Sequence, residues 1–202
     1  MILKHYMQVE FLKQIVGGIA GQGSEGIVDI LHNKKDVNEF LIAKKLNLTI
    51  NQTRNILYSL GDEGLVSFIR KKDKKKGGWY TYFWTLDTFK ALTKFKEVLL
   101  SDLEKLKNSL NSRSTQRFFY CKNCEIEFSE ESALTRDYTC PECGEILELK
   151  QNDAEVEALK GEFERLTKVL EQVDEELAEV AKKEEKSRQR RIKAHERKKA
   201  KE

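Results

Sequence analysis

Cys121-Lys122-Asn123-Cys124 is followed, fifteen residues later, by Cys140-Pro141-Glu142-Cys143-Gly144, and these are the chain's 4 cysteines. A CxxC turn bends the backbone so that both sulfurs point at one ion, and the C-x2-C-x15-C-x2-C spacing is that of a structural zinc site. Four thiolates (Cys121, Cys124, Cys140 and Cys143) close a tetrahedron and leave no position for water, so one Zn2+ ion is expected to hold structure rather than to catalyse. The segment 117–150 is thereby predicted to be a small three-stranded ribbon, packed by Ile126, Phe128, Leu134 and Tyr138, in which metal replaces most of a core. Gly144 supplies the positive φ that such a turn needs.

Residues 1–86 read differently. An N-terminal helix carries Val9, Leu12, Val16 and Ile19 on one face, and Ile27, Val28, Ile30 and Leu31 mark a short second helix. Asp36, with Glu39 three residues later, predicts a helix start before Phe40, Leu41, Ala43 and Leu46. Thr49 with Gln52 forms a capping-box pattern that opens another helix through Ile56, Leu57 and Leu60, closed by Gly61 and Gly64. Leu65 to Ile69 reads as a strand, a basic loop with Gly77-Gly78 turns the chain, and Trp79 to Thr85 returns. Helix, helix, short turn, helix, hairpin is the order of a winged helix-turn-helix. Gly21 to Gly26 spells GxGxxG without the preceding strand that gives that motif meaning, so it reads as a connector. His5, His32 and His195 are scattered and read as ordinary polar positions.

Two long helical segments flank the ribbon: 87–116, striped by Leu92, Phe95, Leu99, Leu103, Leu106 and Leu110, and 151–185, with a heptad seam of Val156, Leu159, Phe163, Leu166, Leu170, Val173, Leu177 and Val180. They either pair antiparallel with the cysteine module at the tip, or the second seeks a partner chain, or each stripe rests on its neighbouring domain. The expected class is mainly α with small β elements: a winged helix-turn-helix, coiled-coil-type helices and a four-cysteine zinc ribbon. A composition of 39% hydrophobic and 35% charged residues suits such small domains joined by exposed helices. Charge is segregated. Residues 150–181 hold four Lys/Arg against ten Asp/Glu, a net of −6, and residues 182–202 hold eleven against four, a net of +7. The basic tail, 186–202, is open to two readings, an interaction segment and a solvated disordered end. No run approaches the roughly 18 apolar residues of a membrane span. The N-terminus also keeps polar residues where a signal peptide is apolar, so an intracellular, cytoplasmic protein is expected.

The helix that would enter a DNA groove presents Asn51, Gln52, Asn55, Tyr58 and Ser59, with Arg54 its only basic residue. So few cations neutralise few phosphates. The positive charge sits on the wing, at Arg70, Lys71, Lys72, Lys74, Lys75 and Lys76. In the returning strand Trp79, Thr81 and Phe83 share one parity and Tyr80, Tyr82 and Trp84 the other, and both cannot face a core. Exposed aromatics beside Arg are the residue types of protein-interface hot spots. A protein interface, direct nucleic-acid contact and a simple solvated loop tip are the three readings of this wing.

The stretches EFLIAKKLNLTINQTRNILYSLGDEGLVSFIRKKDKKKGGWYTYFW and CKNC…TCPECGEIL, in this order, resemble the archaeal transcription factor E family, counterpart of the alpha subunit of the eukaryotic general transcription factor IIE. The resemblance covers most of residues 1–150. It implies a non-catalytic basal initiation factor that binds RNA polymerase at its clamp and stalk and favours promoter opening. The implied partners are promoter DNA with TATA-binding protein and other initiation factors, and a beta-type subunit, with no membrane or small-molecule substrate. It matches the four cysteines to the family's zinc ligands, and Arg70 to Lys76 with Trp79, Tyr80, Tyr82 and Trp84 to its clamp-facing wing. The alternative is a sequence-specific winged-helix regulator carrying a zinc ribbon.

Overall fold

The computed structural model describes residues 2–72 and 80–199, so Lys74, Lys75, Lys76 and Trp79 of the expected wing surface lie outside the described residues. The chain divides into two compact units, one of residues 1–98 and 171–202, the other of residues 99–170.

The first unit holds α1 (Ile2–Ala20), α2 (Gly26–Leu31), β1 (Val37–Asn38), α3 (Glu39–Leu46), α4 (Ile50–Asp62), β2 (Val66–Lys72) and β3 (Tyr80–Leu86). It also contains the start of α5 (Thr88–Thr115) and the end of α7 (Asp153–Lys199). Its antiparallel sheet has the order β1-β3-β2, with Val37 opposite Trp84 and Phe68 opposite Trp84 on the other side. This is the winged helix-turn-helix. Leu12 and Val16 of α1, Ile27, Val28 and Leu31 of α2, Ile42 of α3 and Leu57 and Leu60 of α4 are fully buried around one core, with Trp84 and Leu92. Each such side chain contributes roughly 1.5–3 kcal/mol by leaving water.

The local signals explain most of these elements. The Thr49–Gln52 capping box forms, with the Thr49 side chain accepting from Gln52 N and the Gln52 side chain accepting from Thr49 N. The GxGxxG stretch is a turn: Gly21 and Gly23 take φ of +86° and +90°, and Ser24 Oγ donates to Gly21 O at 2.6 Å. Three expectations fail. The start of α3 is capped by Asn38, whose side chain accepts from Phe40 N, not by Asp36, which sits at a φ of 52°. The cause is β1, which keeps the chain extended against β3 to Asn38 and so delays the helix. Of the residues expected to face the core from α3, Phe40 and Leu41 are exposed, and Glu39 and Ile42 are buried instead. His32, read as an ordinary polar position, is also buried.

The seam of α7 does not wait for a partner chain within this unit. Val173 and Val180 are buried, Gln8 Nε2 donates to Glu176 Oε2 at 2.9 Å, and Lys96 meets Asp174 at 2.7 Å, so α7 rests on α1 and α5. Phe11 of α1 stacks on Phe95 of α5 with ring centroids 5.6 Å apart. The helix runs without a break to Lys199, through the segment read as a tail beginning at residue 186.

The second unit holds the remainder of α5, then β4 (Phe118–Tyr120), β5 (Glu127–Ser129), α6 (Glu130–Leu134), β6 (Glu148–Leu149) and the start of α7. Its three-stranded sheet has the order β5-β4-β6, a ribbon as expected. A tiny core of Cys121, Ala133, Cys140 and Leu147 is flanked by Phe119, Phe128 and Tyr138. Ile126 and Leu134, expected inside, are exposed, because a module of this size has room for only one layer of side chains over the cysteines. Among the described residues no helix is long and apolar enough to cross a membrane.

Candidate metal centre and interaction surface

The two CxxC turns are built alike. Glu125 N donates to Cys121 O at 2.9 Å and Gly144 N to Cys140 O at 2.9 Å, while Cys121 N reaches Ile126 O and Cys140 N reaches Glu145 O. The four sulfurs all lie within 4.8 Å of one another, and none is in a disulfide. Four sulfurs around a tetrahedral ion at about 2.3 Å stand about 3.8 Å apart, so this cluster has the dimensions of a closed thiolate site. The ionisation of the bare thiols fits the same reading. The backbone N–H of Cys143, joined by that of Glu142, brings Cys140 down to about 7 despite burial. Contact with the Cys143 sulfur and burial push Cys124 up to about 12. Four sulfurs this close resist joint ionisation unless a cation shares their charge. The donor set is sulfur alone, which suits a soft or borderline metal.

Position matters at the residue after each turn. Gly144 takes a φ of 76°, and the equivalent residue of the first turn, Glu125, takes 56°. A side chain in that region costs about 1–2 kcal/mol, whereas glycine's freer unfolded chain costs about 0.5–1 kcal/mol. Glu125→Gly is therefore expected to stabilise the metal-loaded ribbon by about 0.5–1 kcal/mol. Urea titration followed by ribbon-specific amide exchange measures this, and a loss of stability would show that the Glu125 side chain makes a compensating contact.

A charge quartet, absent from the sequence reading, fastens this unit. Arg113 of α5 pairs with Glu127 of β5 at 2.5 Å and with Glu155 of α7 at 3.3 Å, and Lys150 pairs with Glu155 at 3.1 Å and also with Glu127. The Arg113 guanidinium also lies 4.1 Å from the Phe118 ring centroid. Burial pushes the Glu127 carboxyl up, but hydrogen bonds from Lys150 and Arg113 outweigh it and hold the group below its usual range.

In the winged helix, Arg54 points inward. Its Nε and Nη2 donate to the two carboxylate oxygens of Glu39 at 2.9 and 2.7 Å, and Glu39 is 1% exposed. The hydrogen bonds that Arg54 donates to Glu39 raise its pKa further. Arg54 also stacks over the Tyr82 ring, 5.5 Å from its centroid. The one basic residue of α4 is thus held in a structural pair, and the exposed residues that remain are the uncharged Asn51, Gln52, Asn55, Tyr58 and Ser59 and, at the end of the helix, the acidic Asp62.

The wing strands show why parity alone did not settle which aromatics are exposed. Phe68 faces Trp84, Arg70 faces Tyr82 and Lys72 faces Tyr80 across the hairpin, so these six side chains share one face. The body of the domain underlies only the Trp84 end. Trp84 is 1% exposed beneath Tyr58 and Phe68, Tyr82 is half-buried, and Tyr80 is 46% exposed with Arg70 over its ring. Trp84, assigned to the surface on the resemblance, belongs to the core. The exposed set is Tyr58, Phe68 and Tyr80, flanked by Arg70 and Lys72, while Lys71 lies on the opposite face over Phe83. Phe68 was outside the expected wing surface and the pairing register brings it in, while Tyr58, expected to face outward from α4, adjoins it.

The family model described as "TFIIE alpha subunit" matches residues 10–115, just over half the chain. Proteins named transcription factor E are similar over most of their length. The Pyrococcus abyssi protein is 35% identical over 158 residues, 77% of this chain and 82% of that protein. The Ignicoccus hospitalis protein is 33% identical over 158 residues, 78% of this chain and 90% of that protein. The Methanocaldococcus jannaschii protein is 34% identical over 147 residues, 71% of this chain and 83% of that protein. With the winged helix, the following long helix and the four-cysteine ribbon in this order, the chain belongs to the TFIIE alpha subunit family of transcription initiation factors.

Proposed function

We propose that this chain is a non-catalytic basal initiation factor that binds RNA polymerase, at the clamp and stalk, and stabilises the opened promoter. The observation that carries the reading is the Glu39–Arg54 pair. It engages the only cation of α4, the helix that a winged-helix DNA reader places in the major groove, and leaves an exposed face with no positive charge. The adjoining surface offers Tyr58, Phe68, Tyr80 and Arg70, the side-chain types that anchor protein interfaces. Promoter opening then needs no chemistry from this chain: a factor that binds the open complex more tightly than the closed one shifts the equilibrium by that difference. One structural Zn2+ held by Cys121, Cys124, Cys140 and Cys143 keeps the ribbon folded, and the closed four-thiolate set suits it to docking on the transcription machinery rather than to catalysis.

Two readouts on the full chain test this. Addition of the protein to polymerase and promoter is expected to increase permanganate reactivity of thymines in the melted region. Its affinity for the promoter duplex without polymerase is expected to match that for a random duplex within about threefold, whereas a specific reader prefers its site by at least about a thousandfold. Strong site preference with no effect on melting would establish the sequence-specific regulator instead.

A further inference from the structure

Beyond Val180, the last buried residue of its seam, α7 continues to Lys199 and changes character. Lys182, Lys186, Arg190, Lys193 and Arg197 follow at intervals of four, four, three and four residues. At 3.6 residues per turn these five fall on one side of the helix over about 22 Å. All five are exposed. None takes part in an ion pair among the described residues. The acidic residues of the same stretch, Glu184, Glu185 and Glu196, fall off this line, and Glu185 accepts from Gln189 Nε2 at 3.0 Å. Extrapolated along the helix, the stripe also lies away from the Val173–Leu177–Val180 seam, which is turned toward α1.

The chemistry of the stripe narrows its partner. Five aligned cations match a regular polyanion. No Phe, Tyr or Trp occurs after Phe163, so the stretch lacks the stacking platforms that hold single-stranded bases. Its one exposed large apolar residue is Ile192, too little for the apolar face of a helix lying in a lipid surface. We propose that Lys182, Lys186, Arg190, Lys193 and Arg197 form a sequence-independent docking surface for duplex DNA, distinct from the wing and spanning about six base pairs at 3.4 Å rise. A rigid helix presenting its cations in register holds a duplex without the ordering cost of a disordered basic end.

The test uses the full chain and a fluorescent duplex of random sequence, with anisotropy recorded from about 50 to 200 mM salt. Replacing all five stripe residues by Gln keeps helix propensity and is checked by circular dichroism. This variant is expected to bind at least about 100-fold more weakly at low salt and to flatten the log K against log salt slope by about 4.5, that is 0.9 per phosphate contact. Arg190→Gln alone flattens it by about 0.9. A control with Lys183, Arg188, Arg191 and Lys199 replaced by Gln is expected to stay within about threefold of the parent, since diffuse charge off the contact line releases few counterions. Equal losses in the two multiple variants would overturn the proposal, as would tighter binding to a single-stranded oligonucleotide or to phosphatidylserine vesicles than to the duplex.

Discussion

Cys121→Ser is expected to abolish stoichiometric metal binding and to unfold residues 117–150 while leaving the winged helix intact. Cys121 is fully buried at the centre of a core that has only Ala133, Cys140 and Leu147 as its other buried members. So small an apolar cluster cannot offset the conformational entropy of ordering the ribbon. The folding free energy of such a module is mostly that of the metal, on the order of 10 kcal/mol for a structural zinc. Serine offers a hydroxyl that does not ionise near neutral pH, and three thiolates hold the ion less tightly and leave its fourth position open to water. Metal-to-protein stoichiometry together with amide exchange measures both consequences. Protection at β4, β5 and the Thr139–Ile146 bridge should fall to that of an unfolded chain, with α1 to α4 unchanged. A variant that still held one metal ion in a folded ribbon would contradict the closed four-thiolate site and would reopen the case for an exchangeable, catalytic metal.

The second large effect is expected at Arg54. Arg54→Ala leaves the Glu39 carboxylate buried and unpaired in the core between α3 and α4. Breaking a buried pair from one side costs about 3–5 kcal/mol, and the partial exposure of Arg54 places the loss near the lower end, about 3 kcal/mol. Adding Glu39→Gln in the same chain should recover part of it, because an unsatisfied neutral amide costs only about 1–3 kcal/mol. Chemical denaturation monitored by tryptophan fluorescence gives both values, with Trp84 as an internal reporter. A loss below about 1 kcal/mol would mean that the pair contributes as little as an exposed one and that Arg54 is free to leave Glu39 for a phosphate. The lack of free positive charge on α4 would then no longer argue against DNA reading.

Features written in short, local patterns were legible in the sequence. The two CxxC turns, the Thr49–Gln52 capping box and the alternation of the wing strands each need only a few neighbouring residues, and each takes the expected form. Features set by residues far apart were not. Glu39 looked like the third residue of a capping box, and only its pairing with Arg54 turns it inward and Phe40 outward. The quartet of Arg113, Glu127, Lys150 and Glu155 joins two helices to the ribbon, and no periodicity foretells it. Trp84 could not be distinguished from Tyr80 by parity, because the two share a face and differ only in whether the domain body lies beneath them. The strained Glu125 was within reach: aligning the two turns places it opposite Gly144.

The wing face is where the functional reading is most exposed to test. The decisive measurement is the affinity of the full chain for RNA polymerase, by pull-down or interferometry, with Phe68 and Tyr80 both replaced by Ala. Both side chains are about half exposed on the free chain, and a denaturation curve confirms that the variant remains folded. Hot-spot aromatics contribute about 2 kcal/mol or more each, so a loss of at least about 100-fold is expected. Polymerase binding unchanged from the parent chain would contradict the account, because the aromatic face of the wing would then not be the anchor.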